Sequence, residues 1–166
     1  LGDVYKRQYP EWSNTHAQVP TALILENKIR IYYADRFPAS GKDLARSYTT
    51  YLDVDRSNPK KVLYFHKEPI LPLGAPGTFD DDGIMPSYAL HRNGLVWLYY
   101  SGWNRGISVP YRNSVGLAVS EDGGSSFRRV YEGPIMDRTA QEPYIAVTPS
   151  ILIEGSTWKM WYISGT

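Results

Sequence analysis

The chain has 166 residues, with 18 basic and 17 acidic side chains and no cysteine. The near balance of charge argues against a nucleic-acid partner, because such proteins concentrate Lys and Arg on one face. The lack of cysteine excludes disulfides, thiolate metal sites and cysteine nucleophiles, and it is compatible with a cytosolic location without establishing one. The longest apolar runs, such as 94–100, are too short to span a bilayer, so we expect no membrane partner.

The two ends of the chain read differently from the rest. Residues 1–8 resemble the translation of an adapter used in sequencing libraries, and we expect them to be an artefact outside the fold. No secretory signal is visible there. The last residues stop halfway through a repeat, so we interpret residues 9–166 as one partial domain of a longer protein.

The first predicted elements are two strands joined by a polar turn. Pro20 opens an apolar stretch, the turn falls at 26–28, and a second stretch ends at Tyr32 and Tyr33. Residues 29–32 alternate between apolar and polar, as expected of a half-buried strand. We expect the proline to open its strand, where a missing N–H does least harm.

The same pattern returns in a more complete second copy. Strands are predicted at 86–91, 95–101, 114–120 and 127–131. Asn93-Gly94 lies between the first two, and this dipeptide is a strong hairpin signal because both residues tolerate positive φ. The second copy therefore predicts a four-stranded antiparallel unit.

A third copy begins at Pro149 and reaches Tyr162, so that the three prolines recur with a period of about 65 residues. A fixed period of this kind indicates repeated supersecondary units, and four-stranded units arranged radially form a β-propeller. No stretch shows a helical apolar stripe. We therefore predict an all-β fold: a partial propeller of about two blades and the first hairpin of a third.

Residues 120–127 match the Asp-box pattern S-x-D-x-G-x-[ST]-[WF], which occurs in turns of several propeller enzymes. Short polar side chains bind the backbone of such a turn, and the aromatic residue holds it against the sheet. We predict a structural turn outside any active site.

Candidate chemistry lies in the segments that precede the three prolines, since the first strand of every blade lines a common channel. The second segment carries Asp80, Asp81 and Asp82, and the third carries Glu142. Two carboxylates that face one cavity suit acid/base chemistry, because burial and repulsion separate their pKa values. A surface acid at 142 and a turn-capping aspartate at 80 are the plainer alternatives.

Five motifs together resemble a known superfamily: FDDDGIMPS (79–87), YYSGWN (99–104), SVGLAVS (114–120), GPIMDR (133–138) and WKMWY (158–162). They are similar to the five-bladed propellers that include glycoside hydrolase families 32, 43, 62, 68 and 117. The best match is an uncharacterised glycosidase-like branch, family-43-like, with a His-Ala-x-x-Pro start. The resemblance implies five blades in the complete protein and a carbohydrate substrate, and it implies no cofactor.

The resemblance also implies catalytic positions. Glu142 corresponds to the general acid on blade three, and Asp80 corresponds to the supporting aspartate on blade two, with Asp82 as an alternative for that register. Blade one departs from the pattern, because the segment around His16 contains no carboxylate. His16 could transfer the proton, Glu11 or a missing residue could do so, or catalysis could be absent.

Further residues are predicted to contact the substrate. Trp103 suits stacking on a sugar ring, and arginines near strand ends, including Arg36, suit hydroxyls or a carboxylate; packing between blades and solvated surface are the alternatives. The predicted substrate-binding set is Gln18, Asp82, Trp103, Asn104, Arg46 and Arg112. No two histidines have the spacing of metal ligands, so no metal site is predicted.

The sequence thus favours a glycoside hydrolase-like protein that acts on an oligosaccharide or glycan. A carbohydrate-binding propeller without hydrolysis, and a transferase or phosphorylase on the same scaffold, are the alternatives. The sequence does not determine the substrate sugar, the stereochemistry or the oligomeric state.

Overall fold

The computed structural model describes residues 16–37 and 45–165, and within these ranges it contains β-strands and no helix. In chain order the strands are β1 (Gln18–Ile24), β2 (Lys28–Phe37), β3 (Arg46–Asp55), β4 (Val62–Phe65), β5 (Gly83–Arg92), β6 (Leu95–Asn104), β7 (Arg112–Ser120), β8 (Arg128–Arg129), β9 (Ala146–Glu154) and β10 (Thr157–Ser164). The all-β prediction is confirmed for these ranges. They also hold no helix that could cross a membrane. The predicted artefact at 1–8 and the alternative base Glu11 lie outside the described residues.

Eight of the strands form two similar antiparallel units. The first unit runs β1-β2-β3-β4 and the second runs β5-β6-β7-β8, each in chain order. A single parallel pairing, Ser47 with Gly83, joins the two units. The predicted four-stranded unit of the second copy is therefore confirmed, although its first and third strands begin earlier than expected and its last is only two residues long.

The third copy forms a separate two-stranded hairpin, β9-β10. This hairpin packs on the second unit, where the backbone N–H of Thr148 donates to Ser101 Oγ at 2.9 Å. Ser101 Oγ also lies 3.0 Å from Ser87 Oγ. These contacts join the start of the third copy, at Thr148, to β6 of the second copy.

The repeated prolines lie inside their strands, so the prediction that they open them is wrong. Pro20 is the third residue of β1, and Pro86 and Pro149 are the fourth residues of β5 and β9. In all three copies the pairing register slips at this point. Pro20 and Pro149 have no partner in the ladder, whereas Pro86 is paired with Tyr100 and the slip comes directly after it. Such an interruption of the ladder accommodates a residue without an N–H.

One hydrophobic core serves both units. It combines side chains from β1–β3, from β5–β7 and from the loops between them: Leu23, Tyr32, Tyr51, Ile70, Leu71, Ile84, Ala89, Val96, Leu98, Tyr100, Ala118 and Phe127. The two tyrosines with no exposed surface each place their hydroxyl against an acceptor, Tyr32 on Gly124 O at 2.8 Å and Tyr100 on Asp80 Oδ2 at 3.0 Å. Burial raises the pKa of both hydroxyls, so they act as donors at neutral pH.

The Asp-box is a structural turn, as predicted. Asp122 accepts hydrogen bonds from the Ser120 hydroxyl and from the backbone of residues 125 and 126. Arg30 reaches the turn from the first unit and donates to Gly123 O at 3.2 Å, while its Nε binds Asp53 at 2.8 Å. The motif therefore connects the two units at a distance from the strand starts.

Candidate functional site

A cavity of about 450 Å³ lies where the three copies begin. Its wall takes residues from the first positions of β1, β5, β7 and β9 and from the last positions of β2 and β6. The lining residues are Gln18, Arg36, Ala45, Met85, Trp103, Arg105, Pro110, Tyr111, Asn113, Ile145, Val147 and Thr148. The repeats thus bring equivalent strand ends to one concave surface.

The backbone is strained at one lining residue, Thr148, and at Val19, which directly follows the lining residue Gln18. Val19 has φ 44° and Thr148 has φ 53°, and each directly precedes the proline of its copy. A β-branched residue in this region costs about 1–3 kcal/mol, and such strain concentrates at functional sites. The strained residues fix the direction of the chain beside Gln18 and at Thr148 itself.

Trp103 forms an apolar part of the wall and is 8 % exposed. Its indole approaches Gly83 so closely that a Cβ at this position would overlap Nε1. Only glycine permits this approach. The glycine that opens β5 therefore determines how deeply the tryptophan sits.

Arg105 is held in place from three sides. Its guanidinium binds the Asp82 carboxylate and the carbonyl of Ala45, and it lies 5.2 Å from the centre of the Trp103 ring. The backbone N–H of Arg105 also donates to Asp82 Oδ2, at 3.0 Å. The side chain of Arg105 has five N–H donors, and Asp82 and Ala45 each accept a hydrogen bond from one of them.

Gln18 supplies a polar group without a partner in the described part of the chain. Its Oε1 is buried and receives no hydrogen bond there. A buried acceptor normally receives a hydrogen bond, so this oxygen is suited to accept one from a bound ligand. A hydroxyl group fits, since it donates as well as accepts.

Two of the predicted substrate-binding residues, Gln18 and Trp103, line the cavity. Asp82 contributes indirectly, because it holds Arg105. Asn104, Arg46 and Arg112 adjoin lining residues in sequence but are not part of the wall; the side-chain amide of Asn104 donates to Thr78 O at 3.2 Å.

The structure does not bring the three predicted catalytic residues to the cavity wall. His16 is exposed, two residues before Gln18, and its backbone N–H donates to Asp35 Oδ1 at 2.9 Å. Glu142 is half-buried, three residues before the lining residue Ile145, and both of its oxygens lie 3.0 Å from the Tyr162 hydroxyl.

Asp80 occupies a different environment. Its side chain has no exposed surface, and its Oδ2 binds the guanidinium of Arg129 at 2.8 and 2.9 Å and the hydroxyl of Tyr100. Thr78 donates to the other oxygen at 3.2 Å. These bonds saturate the carboxylate and are typical of a residue that joins loop to sheet.

Several wall residues were not identified from sequence. Arg105 and Tyr111 lie in the loop between β6 and β7, which no motif marks, and only their position after or before a predicted strand could have indicated them. Thr148 lies in β9, in the segment before Pro149, but it was not singled out there. The buried Asp35 was missed as well, although an aspartate after Tyr32-Tyr33-Ala34 stands out where the other copies have glycine. Among the described residues, no group of three or more His, Asp or Glu side chains could hold a metal ion.

Comparison with known proteins gives two kinds of result. No protein-family model matches the chain. Two curated Mycobacterium tuberculosis proteins, uncharacterized protein MT1551 (strain CDC 1551 / Oshkosh) and uncharacterized protein Rv1502 (strain ATCC 25618 / H37Rv), are each 35% identical over 153 residues. The match covers 92% of this chain and 49% of each relative, so the chain spans about half their length.

Solved structures with the same fold are glycoside hydrolases. Zg3597, a family 117 glycoside hydrolase of Zobellia galactanivorans, superposes with a TM-score of 0.63 at 20% identity, over 93% of this chain and 45% of that one. The GH32 β-fructofuranosidase BmSUC1 of Bombyx mori has a TM-score of 0.69 at 10% identity, over 92% and 30%. A thermostable family-43 glycoside hydrolase has a TM-score of 0.57 at 16% identity, over 93% and 44%. The chain therefore has the fold of the propeller-type glycoside hydrolases, and at these identities the likeness concerns the fold alone.

Proposed function

We propose that the chain is part of a five-bladed propeller protein of glycoside hydrolase type, and that it acts on a carbohydrate in the cavity. The observation that carries the proposal is the convergence of equivalent strand ends from three repeats on one concave surface. Ligand pockets form where repeated elements open toward a shared space. The solved relatives with this fold are glycoside hydrolases, which supports a sugar as the ligand.

The wall has the composition that a sugar requires. Trp103 and Tyr111 offer apolar surface for the C–H face of a ring. Gln18, Asn113 and Thr148 offer donors and acceptors for hydroxyls. A mixed wall of this kind holds a neutral ring by its faces and orients it by its hydroxyls.

For catalysis we propose Glu142 as the acid that protonates the leaving oxygen. The Tyr162 hydroxyl donates to this carboxylate and so limits its rotation. His16, at the opposite copy, would act from the other face. The saturated bonding of Asp80 favours a supporting role through Tyr100 and Arg129 rather than direct contact with the sugar.

A second candidate is a carbohydrate-binding propeller without hydrolysis. The specific observation in its favour is that Glu142, Asp80 and His16 are all absent from the described cavity wall. Binding requires only the wall residues, whereas hydrolysis also requires an acid and a base at the scissile bond.

The test combines a glycan array with turnover assays on the bound glycans. We expect Gln18→Ala to weaken binding, and we expect Glu142→Gln to lower turnover about 10²–10⁴-fold while binding remains. Glu121→Gln, a matched change at an exposed carboxylate paired with Arg128, serves as the control. Turnover unaffected by Glu142→Gln would remove that assignment, binding without turnover would favour the second candidate, and no binding to any glycan would contradict the proposal.

A further inference from the structure

Two buried polar atoms of the described cavity wall have no hydrogen-bond partner among the described residues. They are Gln18 Oε1, which accepts, and Trp103 Nε1, which donates. Buried polar groups are normally paired, and the folded state is less stable for each one that is not. An unpaired acceptor and an unpaired donor on one wall therefore point to a ligand that completes both.

Trp103 Nε1 lies on the face of β5 that takes part in the cavity. Gly83 and Met85 are two residues apart in a regularly paired stretch of β5, so their side-chain positions share one face of the strand. Met85 lines the cavity. A Cβ at Gly83 would overlap Nε1, so this nitrogen fills the space of a side chain on that same face.

The two groups differ in their freedom to move. Trp103 is 8 % exposed, and the guanidinium of Arg105 lies 5.2 Å from the centre of its ring, so the direction of the N–H is fixed. Gln18 is half-buried, and the terminal torsion of a glutamine has a broad minimum, so its oxygen can adjust to a ligand. The rigid donor thus determines where the ligand atom lies, and the adaptable acceptor takes its proton.

This pair of atoms selects a neutral group that both donates and accepts. An indole N–H only donates, and an amide oxygen only accepts. A carboxylate or phosphate would leave Gln18 Oε1 without a donor, and an ammonium group would leave Trp103 Nε1 without an acceptor. Among the substituents of a sugar, a hydroxyl group and the amide of an N-acetylamino group meet both requirements.

We propose that Gln18 and Trp103 determine the specificity of the cavity by binding such a group of the carbohydrate, which donates to Gln18 Oε1 and accepts from Trp103 Nε1. This inference rests on the proposed function, since it names the sugar group that the same site recognises. Trp103 then has a polar role besides the apolar surface of its ring. A site of this kind discriminates strongly against a ligand that lacks the group, because its buried polar atoms stay unpaired.

The experiment compares matched sugars by calorimetric titration of the purified protein. The probes are glucose and galactose, their 2-deoxy, 3-deoxy, 4-deoxy and 6-deoxy forms, N-acetylglucosamine and N-acetylgalactosamine. We expect at least one deoxy form to bind about tenfold to hundredfold more weakly than its parent sugar, since two hydrogen bonds are lost together. Tighter binding of the N-acetylamino sugars than of glucose and galactose identifies the amide source, and the loss on deoxygenation identifies the hydroxyl source.

Variants assign the recognised group to the two atoms. Trp103→Phe keeps an aromatic ring and removes the N–H, and Gln18→Met keeps the chain length and removes the acceptor. Each should weaken binding of the parent sugar about threefold to tenfold. Neither should weaken binding of the deoxy form that already lacks the group, because the two changes remove the same hydrogen bond.

Trp97→Phe is the matched control. Trp97 Nε1 is also buried and has no partner among the described residues, but Trp97 is not part of the described cavity wall. This variant should bind every probe as the wild-type protein does. Equal losses in Trp97→Phe and Trp103→Phe would overturn the inference.

The indole N–H signals in NMR spectra give a second measurement that needs no folded variant of the binding site. The signal of Trp103 should shift downfield on saturation with the parent sugar and should shift less with the recognised deoxy form, while the signal of Trp97 stays in place. A Trp103 signal that does not respond to a bound sugar would contradict the proposed hydrogen bond.

The outcomes separate the inference from the function on which it rests. Variants that weaken the parent sugar and all of its deoxy forms equally overturn the inference and leave the proposed function standing. Binding that is unchanged in both Trp103→Phe and Gln18→Met, in titrations or on the glycan array, also overturns it. If no sugar binds, here or on the array, the proposed function fails as well.

Discussion

At the scale of single residues, the structure separates side chains that maintain the fold from side chains that face the cavity. Asp80 and Thr148 illustrate the difference. The first is buried in a saturated network with Arg129 and Tyr100, and the second is held at positive φ on the wall. Substitution of these two residues should therefore change the free energy of unfolding in opposite directions.

Asp80→Ala should lower the free energy of unfolding by about 3–5 kcal/mol, because it leaves the guanidinium of Arg129 buried without its carboxylate. Urea unfolding followed by circular dichroism measures the change. Glu121→Ala removes a carboxylate from an exposed pair and should cost less than about 1 kcal/mol. Equal effects of the two substitutions would show that Asp80 does not stabilise the fold, and its catalytic assignment would gain weight.

Thr148→Gly should raise the free energy of unfolding by about 1 kcal/mol, because relief of the positive-φ strain outweighs the greater chain entropy of glycine. Thermal and urea unfolding provide the measurement. Thr157→Gly, at the start of β10 and outside the positive-φ set, should instead lower stability by about 0.5–1 kcal/mol. A loss of stability at both positions would contradict the strain at 148.

At the scale of elements, the Asp-box turn of the second copy and the repeated proline bulges shape the units. The turn joins the second unit to Arg30 and Tyr32 of the first, and the bulges start each copy at the cavity. The contribution of the Asp-box turn to stability can be tested at its glycines and at the carboxylate of Asp122.

Gly124→Ala should destabilise the protein by about 1–3 kcal/mol more than Gly123→Ala does. Both positions have positive φ, so both alanines are strained, but only a Cβ at 124 would overlap the Tyr32 hydroxyl. The comparison of urea midpoints isolates that contact. Identical losses would mean that Tyr32 does not approach the turn.

Asp122→Asn should make the free energy of unfolding less sensitive to a fall in pH. Partial burial alone would raise the pKa of Asp122, but hydrogen bonds from the side chains of Ser120 and Ser126 and from the turn backbone lower it well below its ordinary value of 3.8. Protonation is then harder in the folded than in the unfolded state, so the carboxylate stabilises the fold above the unfolded pKa and loses this effect as pH falls.

Urea unfolding at a pH of about 6 and of about 3 tests this, since the carboxylate stabilises the fold mainly at the higher value. The wild-type protein should lose more stability between the two than the Asp122→Asn variant does. An equal loss in both proteins would place the acid sensitivity elsewhere.

Much of this element structure was predictable from sequence. The alternation at 29–32, the Asn93-Gly94 turn and the Asp-box are local signals, and local signals determine strands and tight turns. The positions of the prolines within their strands were not predictable, because a bulge depends on the pairing partner. Pro86 is paired with Tyr100, whereas Tyr88 is paired with Tyr99, and only the assembled sheet shows the slip.

At the scale of the whole molecule, the period of about 65 residues predicted repeated units, and from these units we expect the chemistry at the strand starts. Gln18 and Trp103, which the sequence predicts as substrate-binding residues, line the cavity, whereas Arg105 and Tyr111 come from a loop whose path depends on tertiary contacts. The environment of Asp80 was not predictable from the sequence. A run of three aspartates does not reveal which carboxylate meets a distant arginine such as Arg129.

The central claim is that the three copies present their strand starts to one cavity, and cysteine cross-linking tests it most directly. The chain has no cysteine, so a pair introduced as Gln18→Cys and Thr148→Cys reports on those two sites alone. A short bifunctional maleimide should link this pair efficiently in the folded protein. The control pair Gln18→Cys with Glu154→Cys, at the far end of β9, should not be linked. Linkage of both pairs to the same extent, or of neither, would contradict a shared cavity.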